Sequence, residues 1–277
     1  MGRIIDGRAI AKGIRADVKR RIRELGISPV LAIISVGEND ASEVYIRQKR
    51  KAAEKVGIRF EGMHLKTTTT GDLMEMITDL NSNAHIHGIL VQLPLPDTID
   101  VRRVMEAIAP DKDVDGFHPR NYGNLLLGKQ GLFPCTPAGI MRMLDHEQVD
   151  IQGMEVVIVN HSNIVGKPLA LMMINRNATV SVCHVFTIDL ANHTRNADIL
   201  VTAAGVPGLI GIDMVKEGAV VIDVSMNRVK GHLCGDVVFD EVLGKASLVT
   251  PVPGGVGPMT VAMLMENTLE ACRIQQK

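Results

Sequence analysis

Ser42, Tyr45 and Lys49 follow one another at intervals of three and four residues. In a helix that spacing puts all three on one face. A lysine beside an aromatic plate can bind an anion or an electrophile, and a desolvated lysine can move protons. A solvated surface pair has the same spacing, so the motif alone leaves both readings open.

Two further segments of the first half carry polar groups in unusual settings. Gln92 follows an apolar run and precedes Pro94 and Pro96 (VQLPLP, 91–96). It could orient a neighbouring group by hydrogen bonding, or simply cap a strand. The run DKDVDG (111–116) has carboxylates at a spacing that suits Ca²⁺ or Mg²⁺. Phe117 and His118 then stand where an EF-hand needs more oxygen ligands. A carboxylate that holds an amino-bearing heterocycle fits Asp115 at least as well. Near the C-terminus, Pro253–Thr260 (PGGVGPMT) packs three glycines and two prolines into eight residues. That composition forces a defined backbone, either for close ligand approach or as a hinge.

The second half reads as a nucleotide site. A strand at Glu155–Val159 runs into Asn160, His161, Ser162, Asn163, Ile164, Val165 and Gly166 before a helix. A strand, a small-polar loop and a helix start can offer backbone N–H groups to a phosphate. This is not GxGxxG, and a plain βα turn would look the same. The next strand ends at Cys183-His184 with no acid there to hold a ribose 2′-hydroxyl. His161 and His184 would instead suit a 2′-phosphate, which favours NADP. The turns Thr202–Gly205 and Asp223–Met226 end two later strands, where ligands bind in open parallel sheets.

These residues need a scaffold, and the pattern supplies one. Apolar runs of strand length alternate with helix-period segments: Pro29–Val36, a helix over 41–56, Ile58–Leu65, a helix at Leu73–Leu80, and Ile86–Leu93. After a Gly-, Asn- and Pro-rich stretch read as a connection (117–136), Thr136-Pro137 suits an N-cap and first helical turn. A second series follows at 155–159, 179–183, 199–203, 220–224 and 247–251. A terminal helix is predicted at 260–274. Such alternation implies right-handed βαβ units, a mainly parallel sheet and an open doubly wound second half. The fold class is α/β, and the length suits one large domain or two modest ones.

Composition narrows the function. The 277 residues are 46% hydrophobic and 22% charged, which excludes wholesale disorder. The 30 basic and 31 acidic residues leave a net charge of -1, so no global attraction to nucleic acid or anionic membrane is expected. Aromatics at 3% argue against a base-stacking surface. A nucleic-acid-binding alternative rests on residues 3–23, where eight Lys or Arg face two acids. A solvated helix face explains that stretch and leaves the other motifs their meaning. No apolar run is long enough to span a membrane, and no secretory signal is expected. The four cysteines form no metal-ligand spacing and suit a cytoplasmic location.

Taken in order, SEVYIRQKRKAAEKVGI, GILVQLPLP, PDKDVDGF, PCTPAGI, SNIVGKP and PVPGGVGPMT resemble the bifunctional methylenetetrahydrofolate dehydrogenase/methenyltetrahydrofolate cyclohydrolase family. The resemblance covers essentially the whole chain. It implies a folate-binding catalytic domain (1–118 with the C-terminal helix 260–277) and a Rossmann-like NADP domain (119–259) around a cleft. It also implies a homodimer, a small-molecule folate substrate and a place in one-carbon metabolism and purine biosynthesis.

By matching position, Lys49 is the catalytic lysine, Tyr45 stacks on the folate, Gln92 tunes Lys49 and Asp115 anchors the pterin. Ser42, Val91, Leu93, Pro253, Gly254, Gly255, Val256 and Gly257 would line the folate site. Asn160, His161, Ser162, Ile164, Val165, Gly166, His184, Ala204, Gly205, Val224 and Met226 would contact the cofactor. No metal is implied. Lys49 would either take a proton or, charged, orient water and stabilise an oxyanion; the sequence leaves both open.

The chain departs from the family at two NADP markers. Asn160-His161-Ser162 replaces Gly-Arg-Ser, and Val185 replaces a serine. NADP is expected first, with NAD use or a monofunctional dehydrogenase as the alternative.

Overall fold

The computed structural model describes residues 2–276. In chain order its elements are β1 (Arg3–Ile4), α1 (Gly7–Leu25), β2 (Val30–Val36), α2 (Asp40–Val56), β3 (Arg59–Leu65), α3 (Thr70–Ser82), β4 (Gly88–Val91), α4 (Val101–Ala107) and α5 (Pro119–Leu126). They continue with α6 (Cys135–His146), β5 (Glu155–Val159), α7 (Gly166–Ile174), β6 (Thr179–Cys183), α8 (Leu190–Thr194), β7 (Ile199–Thr202) and β8 (Val220–Asp223). The last are β9 (Asn227–Val229), β10 (His232–Cys234), α9 (Phe239–Leu243), β11 (Leu248–Val249) and α10 (Val256–Ile274). Two compact units result: residues 12–135 with 261–276, and residues 2–11 with 136–260.

The unit built on 12–135 holds a three-stranded parallel sheet in the order β3-β2-β4. β4 is a continuous apolar run and β2 is broken only by Ser35, because helices cover them, as parallel sheets require. Ala32, Ile34, Ile89 and Val91 of these strands pack with Leu73 and Ile77 of α3 and with Val104 and Ile108. β3 is an edge strand, and its side chains alternate between exposed and half-buried.

The other unit holds a six-stranded sheet in the order β1-β11-β8-β7-β5-β6, and every pairing in it is parallel. The strand order reverses at β5, which pairs with β6 on one side and β7 on the other. Open α/β sheets bind ligands outside the carboxyl ends of their strands at such a switch point.

The expected domain boundaries need correction in two places. Residues 2–11 belong to the second unit, because Arg3 and Ile4 pair with Leu248 and Val249 at the edge of its sheet. Residues 119–135 belong to the first unit, where Asn121 Nδ2 donates to Asp113 Oδ2 at 3.1 Å and Asn267 Nδ2 donates to Phe133 O at 2.9 Å.

Three local expectations also change. The stretch read as a connection contains α5, which starts at Pro119 after His118 accepts a hydrogen bond from Arg120 N. α6 begins at Cys135, and Thr136 Oγ1 bonds Thr260 Oγ1 rather than capping the helix. α10 starts at Val256, four residues early, so Val256 and Gly257 are helical.

Candidate active site and cofactor site

The lysine site begins with a well-capped helix. The Asn39 side chain accepts from Ser42 N at 3.0 Å and starts α2; Gly57, at φ 93°, ends it. The one-face spacing is realised: Ser42 is buried, Lys49 is half-buried and Tyr45 is 37% exposed. Partial burial pushes the Tyr45 hydroxyl up from its ordinary pKa.

Lys49 Nζ donates to Gln92 Oε1 at 2.9 Å. Gln92 is held from its other end, since its Nε2 donates to Leu93 O at 2.7 Å and its backbone N donates to Ile34 O at 2.8 Å. Because the amide nitrogen is occupied by a carbonyl, the oxygen is the end that faces the lysine. Asp115 lies within the field of Lys49: desolvation pushes its carboxyl up, and the lysine charge pulls it back. Lys49, Gln92 and Asp115 therefore form one group. Val91 is not part of it as a side chain, for it is 2% exposed in the core beside β2, and Leu93 packs against the same core.

Asp113 has a different task. Its carboxylate accepts from Gly116 N at 3.0 Å, His118 N at 2.7 Å and Asn121 Nδ2 at 3.1 Å. It is 1% exposed, and burial pushes its pKa to about 6. Those three donors commit the Asp113 carboxylate to holding the turn that presents Asp115.

The cofactor turns gather at the switch between β5 and β7. Asn160 ends β5 and joins both sides of it: its Nδ2 donates to Ala203 O at 2.7 Å, after β7. Its Oδ1 accepts from Ser162 N at 2.8 Å, Ser162 Oγ at 2.6 Å and Gly166 N at 3.0 Å. Part of the expected phosphate-facing set of amides is thus spent internally. Gly166 is a glycine for a packing reason, since a Cβ there would overlap the carbonyl of Asn160. Val165 is half-buried, whereas His161 and Ile164 are exposed.

The His161 and His184 rings lie 4.9 Å apart, so two turns distant in sequence share one surface. His184 Nδ1 accepts from Phe186 N at 3.2 Å, which leaves Nε2 as the outward donor. No acid follows β6 until Asp189. This donor set suits a 2′-phosphate better than a free 2′-hydroxyl and so fits NADP. Ala204 and Gly205 (φ 73°) are exposed, and so is Met226; Val224 is half-buried beside them. Gly205 N donates to Ser225 Oγ at 3.0 Å, tying these two turns together.

The Pro253–Gly257 run lies in the same unit as these turns. Gly254 takes φ 117°, and a Cβ on Gly255 would crowd Pro251 O. Gly257 has open space around it, while Val256 is 3% exposed and serves packing.

Sequence reasoning passed over Asp236, Asn227 and the β9–β10 hairpin that links them. Lys230 (φ 48°) and Gly231 (φ 85°) form its turn, and only the glycine of that pair is a turn signal in the sequence. It also passed over the role of Asp223, which is 2% exposed and accepts from Ser225 N at 3.1 Å and Val237 N at 2.8 Å. Burial, with Asp236 close by, pushes its pKa to about 6.

Comparison with known proteins agrees with this geometry. Residues 5–115 match the family described as tetrahydrofolate dehydrogenase/cyclohydrolase, catalytic domain, and residues 134–276 match its NAD(P)-binding domain. The chain is 56% identical to the bifunctional protein FolD of Methanococcoides burtonii over 96% of this chain and 95% of the other. It superposes on the bifunctional methylenetetrahydrofolate dehydrogenase/cyclohydrolase of Campylobacter jejuni with a TM-score of 0.97 at 47% identity, covering 99% of each chain. The Trypanosoma brucei methylenetetrahydrofolate dehydrogenase-cyclohydrolase, solved with NADP and an inhibitor, gives 0.95 at 38% identity, covering 100% of this chain and 99% of that one. This chain belongs to the tetrahydrofolate dehydrogenase/cyclohydrolase family and joins that family's catalytic domain to its NAD(P)-binding domain.

Proposed function

We propose that the chain oxidises 5,10-methylenetetrahydrofolate to the 5,10-methenyl cation with NADP and hydrolyses that cation to 10-formyltetrahydrofolate. The observation that carries this reading is the Lys49–Gln92 hydrogen bond, with Asp115 in the field of the same lysine. NADP supplies the hydride acceptor. Tyr45 offers a ring face for a flat heterocycle, and Asp115 offers an acceptor for its amino group.

In the hydrolysis, water adds to the cationic one-carbon bridge and the bond from that carbon to N5 breaks. One proton ends on N5 and one leaves. No oxidant and no metal Lewis acid is required, because the carbon is already electrophilic. Lys49, donating to a fixed amide oxygen, is placed to orient the water and stabilise oxygen charge as it develops. On the cofactor side, Asn160 to Gly166, His161, His184, Ala204, Gly205, Val224 and Met226 would hold NADP.

The same reading places the enzyme in the cytoplasm, in one-carbon metabolism that feeds purine biosynthesis, and makes it a homodimer. Among the described residues no helix is long and apolar enough to cross a membrane. β6 stands at one end of the six-stranded order, and Val185, Phe186 and Ile188 after it are 82–89% exposed. An unpaired strand edge beside exposed apolar side chains favours self-association.

The test is an assay with methylenetetrahydrofolate that follows reduced cofactor and methenyl product separately, with NADP and NAD in parallel. NADP reduction followed by enzyme-dependent loss of the methenyl signal is expected. Reduction of NAD alone would overturn the cofactor reading, and no reduction with either would overturn the dehydrogenase. Sedimentation at micromolar concentration tests the dimer.

A further inference from the structure

We infer that Asp236 is a positioning residue for the cofactor: one buried carboxylate that sets the two turns ending β7 and β8. The inference rests on the NADP reading above. Asp236 is fully buried, and the β9–β10 hairpin returns the chain to it. Its Oδ2 accepts from Thr202 Oγ1 at 2.8 Å, Ala204 N at 2.7 Å, Ser225 Oγ at 2.7 Å and Gly205 N at 3.3 Å. Its Oδ1 accepts from Val206 N at 2.8 Å and Asn227 Nδ2 at 3.1 Å. An ionised carboxylate has about four lone-pair sites, so these donors saturate it.

Two consequences follow from that saturation. The first concerns what the 204–206 turn can bind. Three successive backbone N–H groups form a concavity that would ordinarily attract an anion. Here the anion is the protein's own. The turn has no amide left for a phosphate, and its remaining backbone groups are acceptors. It suits an uncharged, hydrogen-donating part of the cofactor. Phosphate recognition falls to other turns, where His161 and His184 stand.

The second consequence concerns geometry. The exposed residues assigned to the cofactor are Ala204, Gly205 and Met226. Their backbone is fixed from beneath, directly at Ala204 N and Gly205 N and through Thr202, Ser225 and Asn227, by one fully buried residue. A neutral asparagine at 236 keeps only one acceptor oxygen and presents an N–H₂ to donors. It would release one side of the set.

The experiment uses the intact enzyme and compares wild type with Asp236→Asn and Thr202→Val. Three quantities are read: NADP affinity by calorimetry, dehydrogenase kcat and KM, and the cyclohydrolase rate on methenyltetrahydrofolate, which needs no cofactor. Asp236→Asn is expected to weaken NADP binding and raise its KM about 10-fold or more, as losing hydrogen bonds to a charged group implies. Its cyclohydrolase rate should stay within about twofold of wild type, since only the cofactor turns are released. Thr202→Val removes one donor at nearly constant volume and should shift NADP affinity the same way by about 3-fold.

Unchanged NADP affinity in both variants would overturn the inference. So would a parallel fall of both activities, which is the signature of a purely structural residue. If Asp236→Asn does not fold, Thr202→Val decides. A wild-type enzyme that binds NADP but reduces neither cofactor would refute the dehydrogenase reading instead, and the calorimetry would still test Asp236.

Discussion

Gln92 holds Lys49 through its amide oxygen at 2.9 Å because its amide nitrogen is already committed to Leu93 O at 2.7 Å. The glutamine is thus a directional clamp. It sits immediately after β4, whose four residues are all buried, so its backbone is fixed by the sheet and its side chain by its own next residue.

That clamp gives the first prediction. Lys49→Gln should abolish most cyclohydrolase activity, by about 100-fold or more, the usual worth of a positioned proton-transferring or charge-stabilising group. Gln92→Ala should lower kcat about 10-fold with a smaller change in folate KM, because it frees the lysine without removing it. Steady-state kinetics on methenyltetrahydrofolate check both; equal losses in KM alone would mean that the pair only binds substrate.

His161 and His184 share a surface at 4.9 Å, where a 2′-phosphate would lie. His161→Arg should raise the NADP-to-NAD ratio of kcat/KM about 10-fold, since a guanidinium is always charged and can meet phosphate with two N–H groups. His161→Ala should lower it. Parallel assays with the two cofactors decide, and an unchanged ratio in both variants would place the 2′-phosphate elsewhere.

Gly166 abuts the backbone of Asn160 too closely for any Cβ. Gly166→Ala should therefore destabilise the protein by about 2 kcal/mol, in the range of overpacking elsewhere. NADP affinity should fall with it, because the 160–166 turn must open. Denaturant unfolding and calorimetry measure the two effects.

The Asp223 carboxyl is raised by burial from an ordinary 3.8 to about 6 in the folded protein. Between those two values the folded state binds the proton and the unfolded state does not. Its contribution to stability is thus fully present below about pH 4 and is lost as pH rises through about 6. Asp223→Asn removes this dependence. The gap in Tm between wild type and variant should be wider in favour of wild type at pH 4.5 than at pH 7.5. A gap independent of pH would contradict the burial argument.

The readable parts of the fold were those where one physical rule dominates. β2, β4, β5, β7 and β8 are mainly apolar runs, buried almost throughout, as strands of a covered parallel sheet are. Ser42, Tyr45 and Lys49 declared their shared face by helical spacing, and Gln92 and Asp115 joined them as the resemblance implied.

What was not readable depended on partners far away in sequence. Arg3 and Ile4 are too short a run to announce a strand; they become one only against Leu248 and Val249. Asp113 and Asp115 look alike in DKDVDG, and only Gly116, His118 and Asn121 assign the first to the turn. Asp236 carries no motif at all. Its meaning comes from donors between 9 and 34 residues distant.

The β1–β11 pairing has a consequence for how the nucleotide-binding unit comes into being. Arg3 and Ile4 are made long before Leu248 and Val249, the residues they pair with. Between the two lie residues 12–135, the larger part of the other unit, whose remaining residues, 261–276, come later still. The edge of the large sheet can therefore close only after residues 12–247 have been made, and Arg3 and Ile4 wait for their strand partners until then.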